Sequence, residues 1–142
     1  LIGAAGALAS SRANDEEGAM AEGGGRAAAM SSEEAGRRLA AEARNWSLED
    51  GAITRRFTVN GFKSAMLAAN AVGHLAEAAW HHPEITIAWG AVTVRLWSHD
   101  AGGVTARDLA LAAKIDALLD WRPEPPLEGA PTDPRHAYIV RE

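Results

Sequence analysis

The chain is predicted to form an α+β domain, a four-stranded antiparallel sheet built from two hairpins with three helices packed on one face, in the order α-β-β-α-β-β-α. Three observations predict it. Two pairs of short strand-like runs are each joined by a glycine-containing turn, at Asp50-Gly51 and at Gly90-Ala91, the local signal of hairpins. Before, between and after them lie stretches whose apolar residues recur every three or four positions, the period of a helix. Strands paired in hairpins rather than separated by crossover helices leave an antiparallel sheet with its helices to one side.

The first helix opens at Ser31, with Glu34 three residues on in capping-box spacing, and runs to about Arg44 with Leu39 and Ala43 on its apolar side. Trp46 to Glu49 reads as a short strand and Ile53 to Val59 as its return. Ile53, Arg55, Phe57 and Val59 alternate with Thr54, Arg56 and Thr58, and Arg55 breaks the pattern as an exposed or edge-facing arginine. Asn60-Gly61 ends this strand and leads into a helix from about Phe62 to Ala79, rich in alanine and so able to approach a sheet or another subunit closely. Pro83 keeps that helix from running through His81 and His82. Ile85 to Trp89 and Val92 to Ser98 form the second hairpin, with Val92, Val94 and Leu96 on one face and Thr93, Arg95 and Trp97 on the other. Thr105 with Asp108 opens the third helix, which ends near Leu119.

The flanks differ from this core. Residues 1–30 hold 10 Ala and 6 Gly and no aromatic residue, too little side chain to offset the entropy of ordering, so a disordered tail is expected. Five of the six prolines fall between positions 123 and 134, which predicts an extended tail over 122–142, with Ala137 to Val140 as a candidate edge strand. The folded domain is therefore expected over 31–121.

The chain has no cysteine, which excludes disulfides, thiolate metal sites and cysteine nucleophiles. A net charge of -5 without a dense Lys/Arg block argues against nucleic acid as partner. No run of 18 apolar residues is present, so no membrane span is expected. Leu1 to Ala9 is apolar but has no basic segment before it, and a cytoplasmic location is the expectation.

Chemistry concentrates in the histidines. His81 and His82 lie just past the central helix, before Pro83 and Glu84, on backbone stiffened by the proline. His99 falls where the fourth strand runs out, and the hairpin between returns the chain toward the pair. Three imidazoles at one end of a sheet suit proton transfer near neutral pH. Glu77, near the end of the central helix, is placed to accept a hydrogen bond from an imidazole, or to be a solvated helix carboxylate. Glu84 adjoins the pair, and Asp108 combines a capping position with proximity to the site. His74 and His136 lie apart. Trp80, Trp89 and Trp97 are candidates for core, interface or cavity wall. Adjacent histidines do not easily aim at one point, and HExxH and Cys-His spacings are missing, so no metal is expected. The glycine clusters lack phosphate-loop signatures, so no nucleotide cofactor is expected either.

The sequence Glu77-Ala-Ala-Trp-His81-His82-Pro83-Glu84, followed by Val92-Thr-Val-Arg-Leu-Trp-Ser-His99-Asp100-Ala-Gly102-Gly103-Val-Thr105-Ala-Arg-Asp108, resembles the pterin-4a-carbinolamine dehydratase family. The resemblance spans about residues 31 to 121, with Ser98 for the usual threonine, Val104 for the usual leucine, and Ile85 where animal members often carry a large aromatic. It implies a cofactorless hydro-lyase that removes water from a 4a-hydroxytetrahydropterin to give quinonoid dihydropterin, recycling the pterin used by an aromatic amino acid hydroxylase. It further implies His81 and His99 as acid and base, and His82 as holder of the leaving hydroxyl. Glu77 then orients a histidine or contacts the pterin, Asp108 closes the polar wall, and the chain forms a homo-dimer or homo-tetramer. The alternative on the same fold is a non-enzymatic module that binds a pterin-like ligand or dimerises.

Overall fold

A computed structural model describes residues 28–141. The tail expected over 1–30 lies outside the described residues except for its last three, of which Met30 donates its N–H to the Val104 carbonyl at 2.8 Å. The elements follow in the predicted order: α1 (Ser32–Glu42), β1 (Ser47–Glu49), β2 (Ala52–Thr58), α2 (Phe62–Ala79), β3 (Glu84–Ala88), β4 (Ala91–Leu96) and α3 (Ala106–Leu119). Ser31 caps α1 by accepting from Glu34 N at 3.2 Å, which supplies one of the helix's free N–H groups with a partner.

The sheet order is β1-β2-β4-β3, every pair antiparallel. In the first hairpin Glu49 pairs with Ala52, and Asp50 and Gly51 both take positive φ, the geometry whose twist suits a two-residue turn. In the second hairpin the turn is Trp89-Gly90, because Ala91 still pairs with Ala88. The expected Gly90-Ala91 turn is thus one residue too late. That slip changes every cross-strand partner in the hairpin.

Directly opposed residues in a sheet share a face, so the register Ile53↔Leu96, Arg55↔Val94 and Phe57↔Val92 defines one side. Ile53, Phe57, Val92, Val94 and Leu96 there are buried with Leu39 of α1, Ala65, Ala68 and Val72 of α2, and Leu109, Ala112 and Ile115 of α3. All three helices therefore cover one face. The small residues of α2 let its backbone lie close to the sheet, as its alanine content predicts.

Arg55 belongs to that covered face and is not the exposed or edge-facing residue expected. Its side chain is only 14% exposed, bonded to Asp116 and, at 2.9 and 3.1 Å, to Asp120. Trp46 Nε1 donates to the same Asp116 carboxylate at 2.8 Å, and the Arg55 guanidinium lies 4.2 Å from the Phe57 ring centre. A strand alternation has no code for a charge that finds its counter-ions on a helix sixty residues away. Burial pushes the Asp116 carboxyl above its ordinary value, and the bonds from Trp46 and Arg55 oppose that push. Arg55→Ala is expected to lower stability by about 1–3 kcal/mol, because two neighbouring carboxylates would lose their cation. Urea unfolding with an unchanged slope would measure it.

The proline-rich segment does not trail away. Ile139 bridges to Val59 and is buried in the core, and Val140 N donates to Thr58 O at 2.9 Å. Arg122 ties the segment's start to its end, bonding the carbonyls of Leu119 and Ile139 at 3.3 Å each. Ala137 to Val140 thus contributes a single bridge in line with β1, on the edge where β2 outruns its neighbour.

Candidate active site

Three chain segments meet at the end of the sheet where β3 begins and β4 ends. The first is the C-terminus of α2. Its last turn closes through Trp80, which takes the left-handed conformation at φ 51, while His81 N donates to Ala76 O at 3.0 Å. A non-glycine residue there costs about 1–2 kcal/mol of backbone strain. The gain is direction, since the turn throws His81 and His82 off the helix axis toward the sheet. Pro83 is the rule that the sequence displays; the left-handed tryptophan ends the helix before it.

The second segment follows β4, where Ser98 N donates to Gly103 O at 2.9 Å and closes a tight turn containing His99. Gly102 in this turn has φ 71, which favours glycine because it lacks a Cβ. The third is the start of α3. Asp108 is fully buried, and its Oδ2 accepts from Thr105 N at 2.8 Å and from Ser98 Oγ at 2.9 Å. The capping box expected from Thr105 and Asp108 is present.

The other oxygen of Asp108 faces His81. Oδ1 lies 2.5 Å from His81 Nε2, with the His81 side chain 12% exposed. A buried carboxylate with a backbone N–H and a hydroxyl already donating to it is fixed in position, and it fixes the imidazole in turn. His82 has a different partner, Glu77 Oε1 at 2.9 Å, in a pair with side chains 51% and 70% exposed. An ion pair in that much water contributes at most about 1 kcal/mol, so the Glu77–His82 contact adds little to the stability of the fold. The edge of Trp80 also meets His82, with ring centres 5.3 Å apart.

His99 is exposed and rests against Trp97, ring centres 4.3 Å apart, with Arg95 4.9 Å from the same indole. Continuing the register Glu84↔Arg95 two residues outward places His82 opposite Trp97 and leaves His99 beyond it. The corrected turn therefore moves the count by two, setting position 82 against 97 where the sequence count set it against 99. Glu84 stands across the ladder from Arg95, exposed on β3, apart from the two carboxylate–imidazole pairs. Trp80 and Trp89 are 79% and 74% exposed, so within one chain neither packs the core. His74 is exposed on α2 and His136 lies in a short 3-10 helix, Pro134–His136.

Sequence reasoning gave Ser98 no part in the site and left Trp97 open between core, interface and cavity wall. Ser98 is fully buried between Asp108 and Thr105, with its Oγ 2.7 Å from Thr105 Oγ1. A signal existed: Ser98, His99, Thr105 and Asp108 lie within eleven residues, bracketing a glycine turn. Among the described residues, no three His, Asp or Glu side chains are grouped to share a metal ion.

Residues 28–118 match the family model described as pterin 4 alpha carbinolamine dehydratase. The chain belongs to the pterin-4a-carbinolamine dehydratase family. It is 48% identical over 75 residues to a putative pterin-4-alpha-carbinolamine dehydratase of Haloarcula marismortui, covering 53% of this chain and 82% of that one. A putative dehydratase of Chlorobaculum tepidum is 41% identical over 99 residues, covering 67% and 88%. Among solved structures, a transcriptional coactivator/pterin dehydratase from Brucella melitensis aligns with a TM-score of 0.58 at 33% identity, over 63% of this chain and 97% of that one. Membership gives the chain the general pterin-dehydratase lyase character of the family. The matched span holds His81, His82 and His99 together with Asp108 and Glu77, the carboxylates bonded to His81 and His82.

Proposed function

We propose that this chain dehydrates 4a-hydroxytetrahydropterins by histidine general acid–base catalysis. The observation that carries the reading is the bond between His81 Nε2 and the buried Asp108 carboxylate. With Nε2–H donated to Asp108, the free nitrogen of His81 is Nδ1, an acceptor. Nδ1 then takes the proton from N5 of the pterin. The N5 electron pair forms the C4a=N5 double bond as the C4a–O bond breaks. His99 delivers a proton to the departing oxygen, which leaves as water, and the pterin leaves as the quinonoid dihydro form. His82, held by Glu77, hydrogen-bonds the hydroxyl before it departs. Substrate and product differ by one water, so no electrons are exchanged and the transfers need only one acid and one base.

Trp97 offers a flat apolar surface beside His99 against which a heterocycle can rest. Glu84 lines the approach from β3. The exposed Phe62, Met66 and Leu67 of α2, and Ile87 on the open edge strand β3, supply the apolar surface that a homo-dimer or homo-tetramer would cover. No helix among the described residues is long and apolar enough to cross a membrane, and a cytoplasmic site of action fits a recycling step coupled to an aromatic amino acid hydroxylase.

Stopped-flow absorbance with freshly generated 4a-hydroxytetrahydropterin tests the proposal. The expected result is saturable acceleration of quinonoid formation above the subtracted spontaneous rate. A folded protein that leaves the spontaneous rate unchanged while still binding the pterin would instead be a binding module.

A further inference from the structure

Far along β2 from the histidine end, a cavity of about 600 Å³ opens on the strand's edge, lined among others by Arg44, Asn45, Arg55, Arg56, Asp120 and Arg141. Arg55 binds Asp120 through two hydrogen bonds and also bonds Asp116, one cation for two carboxylates. Arg44, Arg56 and Arg141 are exposed, and none has a carboxylate partner among the described residues. The chain carries 19 acidic residues against 14 basic ones, so pairing partners are plentiful. Three guanidiniums without a carboxylate partner among the described residues, on the lining of one cavity, repel each other unless an anion lies between them.

The backbone supplies a second, independent feature. Along β2, Val59 N donates toward the β4 side, to Gly90 O, whereas Thr58 O accepts from Val140 on the other side. Alternation then turns the N–H and C=O of Arg56 to the same edge as those of Thr58. On that edge β1 ends at the pair Ser47↔Thr54, and the returning segment begins only at Val59↔Ile139. The Arg56 N–H therefore faces the gap that the cavity occupies, with no backbone partner among the described residues. A strand N–H at a cavity lined by three exposed arginines is a donor set for an oxyanion, because planar guanidinium forks match phosphate oxygens two at a time.

The geometry points to a binding site for a small molecule carrying a phosphate or pyrophosphate group, in the gap between β1 and Ile139, held by Arg44, Arg56, Arg141 and the Arg56 N–H. The volume lies within the range of small-molecule sites. Ile139, Val140 and Arg141 lie beyond the residues that match the family model, so this wall is an addition to the family domain. The site is separate from the histidine end and does not depend on the reaction proposed there.

Calorimetric titration of the full chain with inorganic pyrophosphate, at ionic strength held constant with sodium chloride, tests the site. One saturable event per chain is expected, together with movement of the Arg56 amide resonance. Arg56→Ala and Arg141→Ala should each weaken binding about tenfold, the loss of one charged hydrogen bond. The triple variant with Arg44→Ala should abolish it, while His99→Ala binds as the parent chain does. All three arginines are exposed, so the variants should melt like the parent, and Arg56→Gln repeats the single test if the triple variant does not. Absence of saturation, undiminished binding in the folded variants, or loss of binding in His99→Ala would each overturn the assignment.

Discussion

The double variant His82→Ala, His99→Ala is expected to fold normally and to lose about 10²–10⁴-fold of the dehydration rate above background, the range that general acid–base groups supply. Both side chains are exposed, and among the described residues neither bonds a buried group, so truncation opens no cavity there and orphans no buried partner. Circular dichroism and thermal melting should match the parent chain. The rate loss is then chemical, and it divides by role. His99→Ala alone should reduce kcat, since it removes the proton donor for the leaving oxygen. His82→Ala should act more on KM, because a hydrogen bond to the hydroxyl exists before the transition state as well as in it. A folded double variant dehydrating at the parent rate would eliminate the mechanism.

Asp108→Ala is expected to cost about 2–4 kcal/mol of stability. It deletes a buried capping carboxylate and leaves Thr105 N, Ser98 Oγ and His81 Nε2 short of an acceptor. Asp108→Asn separates the two functions of this residue. The amide oxygen can still accept from Thr105 N and Ser98 Oγ, but the NH₂ group would face His81 and require an acceptor there. His81 would then carry its proton on Nδ1, the nitrogen proposed to take the proton from the pterin. The expected outcome is a stability loss smaller than for Asp108→Ala, with activity reduced about 10²-fold or more. A wrong histidine tautomer has effects of at least that size in hydrolytic triads. Nitrogen-15 shifts of the His81 ring would report the switch, and a parent-like rate in a chain whose tautomer has switched would remove His81 from the role of base.

These two outcomes rest on contacts that the sequence displayed unevenly. The capping spacing of Thr105 and Asp108 was legible because a cap is a local contact between residues three apart. Glu77 beside the pair was legible for the same reason, through one turn of helix. That Asp108 would serve His81 was not, because the partners are separated by a hairpin and a loop, and their contact depends on how α3 sits on the sheet. The buried Ser98 and the covered Arg55 were missed on similar grounds. Each is a polar residue whose partners come from another element, and alternation in a strand reports only side, not company.

Local chemistry, then, determined the elements. Turn residues, caps and the periods of two and of three to four placed the three α-helices and the four strands within a few residues, and the spacing of His81, His82 and His99 brought them to one end of the sheet. The tertiary structure decided what each imidazole faces. A turn one residue earlier than expected put Trp97 opposite His82, the left-handed Trp80 aimed the pair, and the packing of α3 delivered a buried carboxylate to His81. Register and inter-element contact are set by the core as a whole, since shifting one strand by a residue would turn its apolar face to water. No single stretch of sequence contains that constraint.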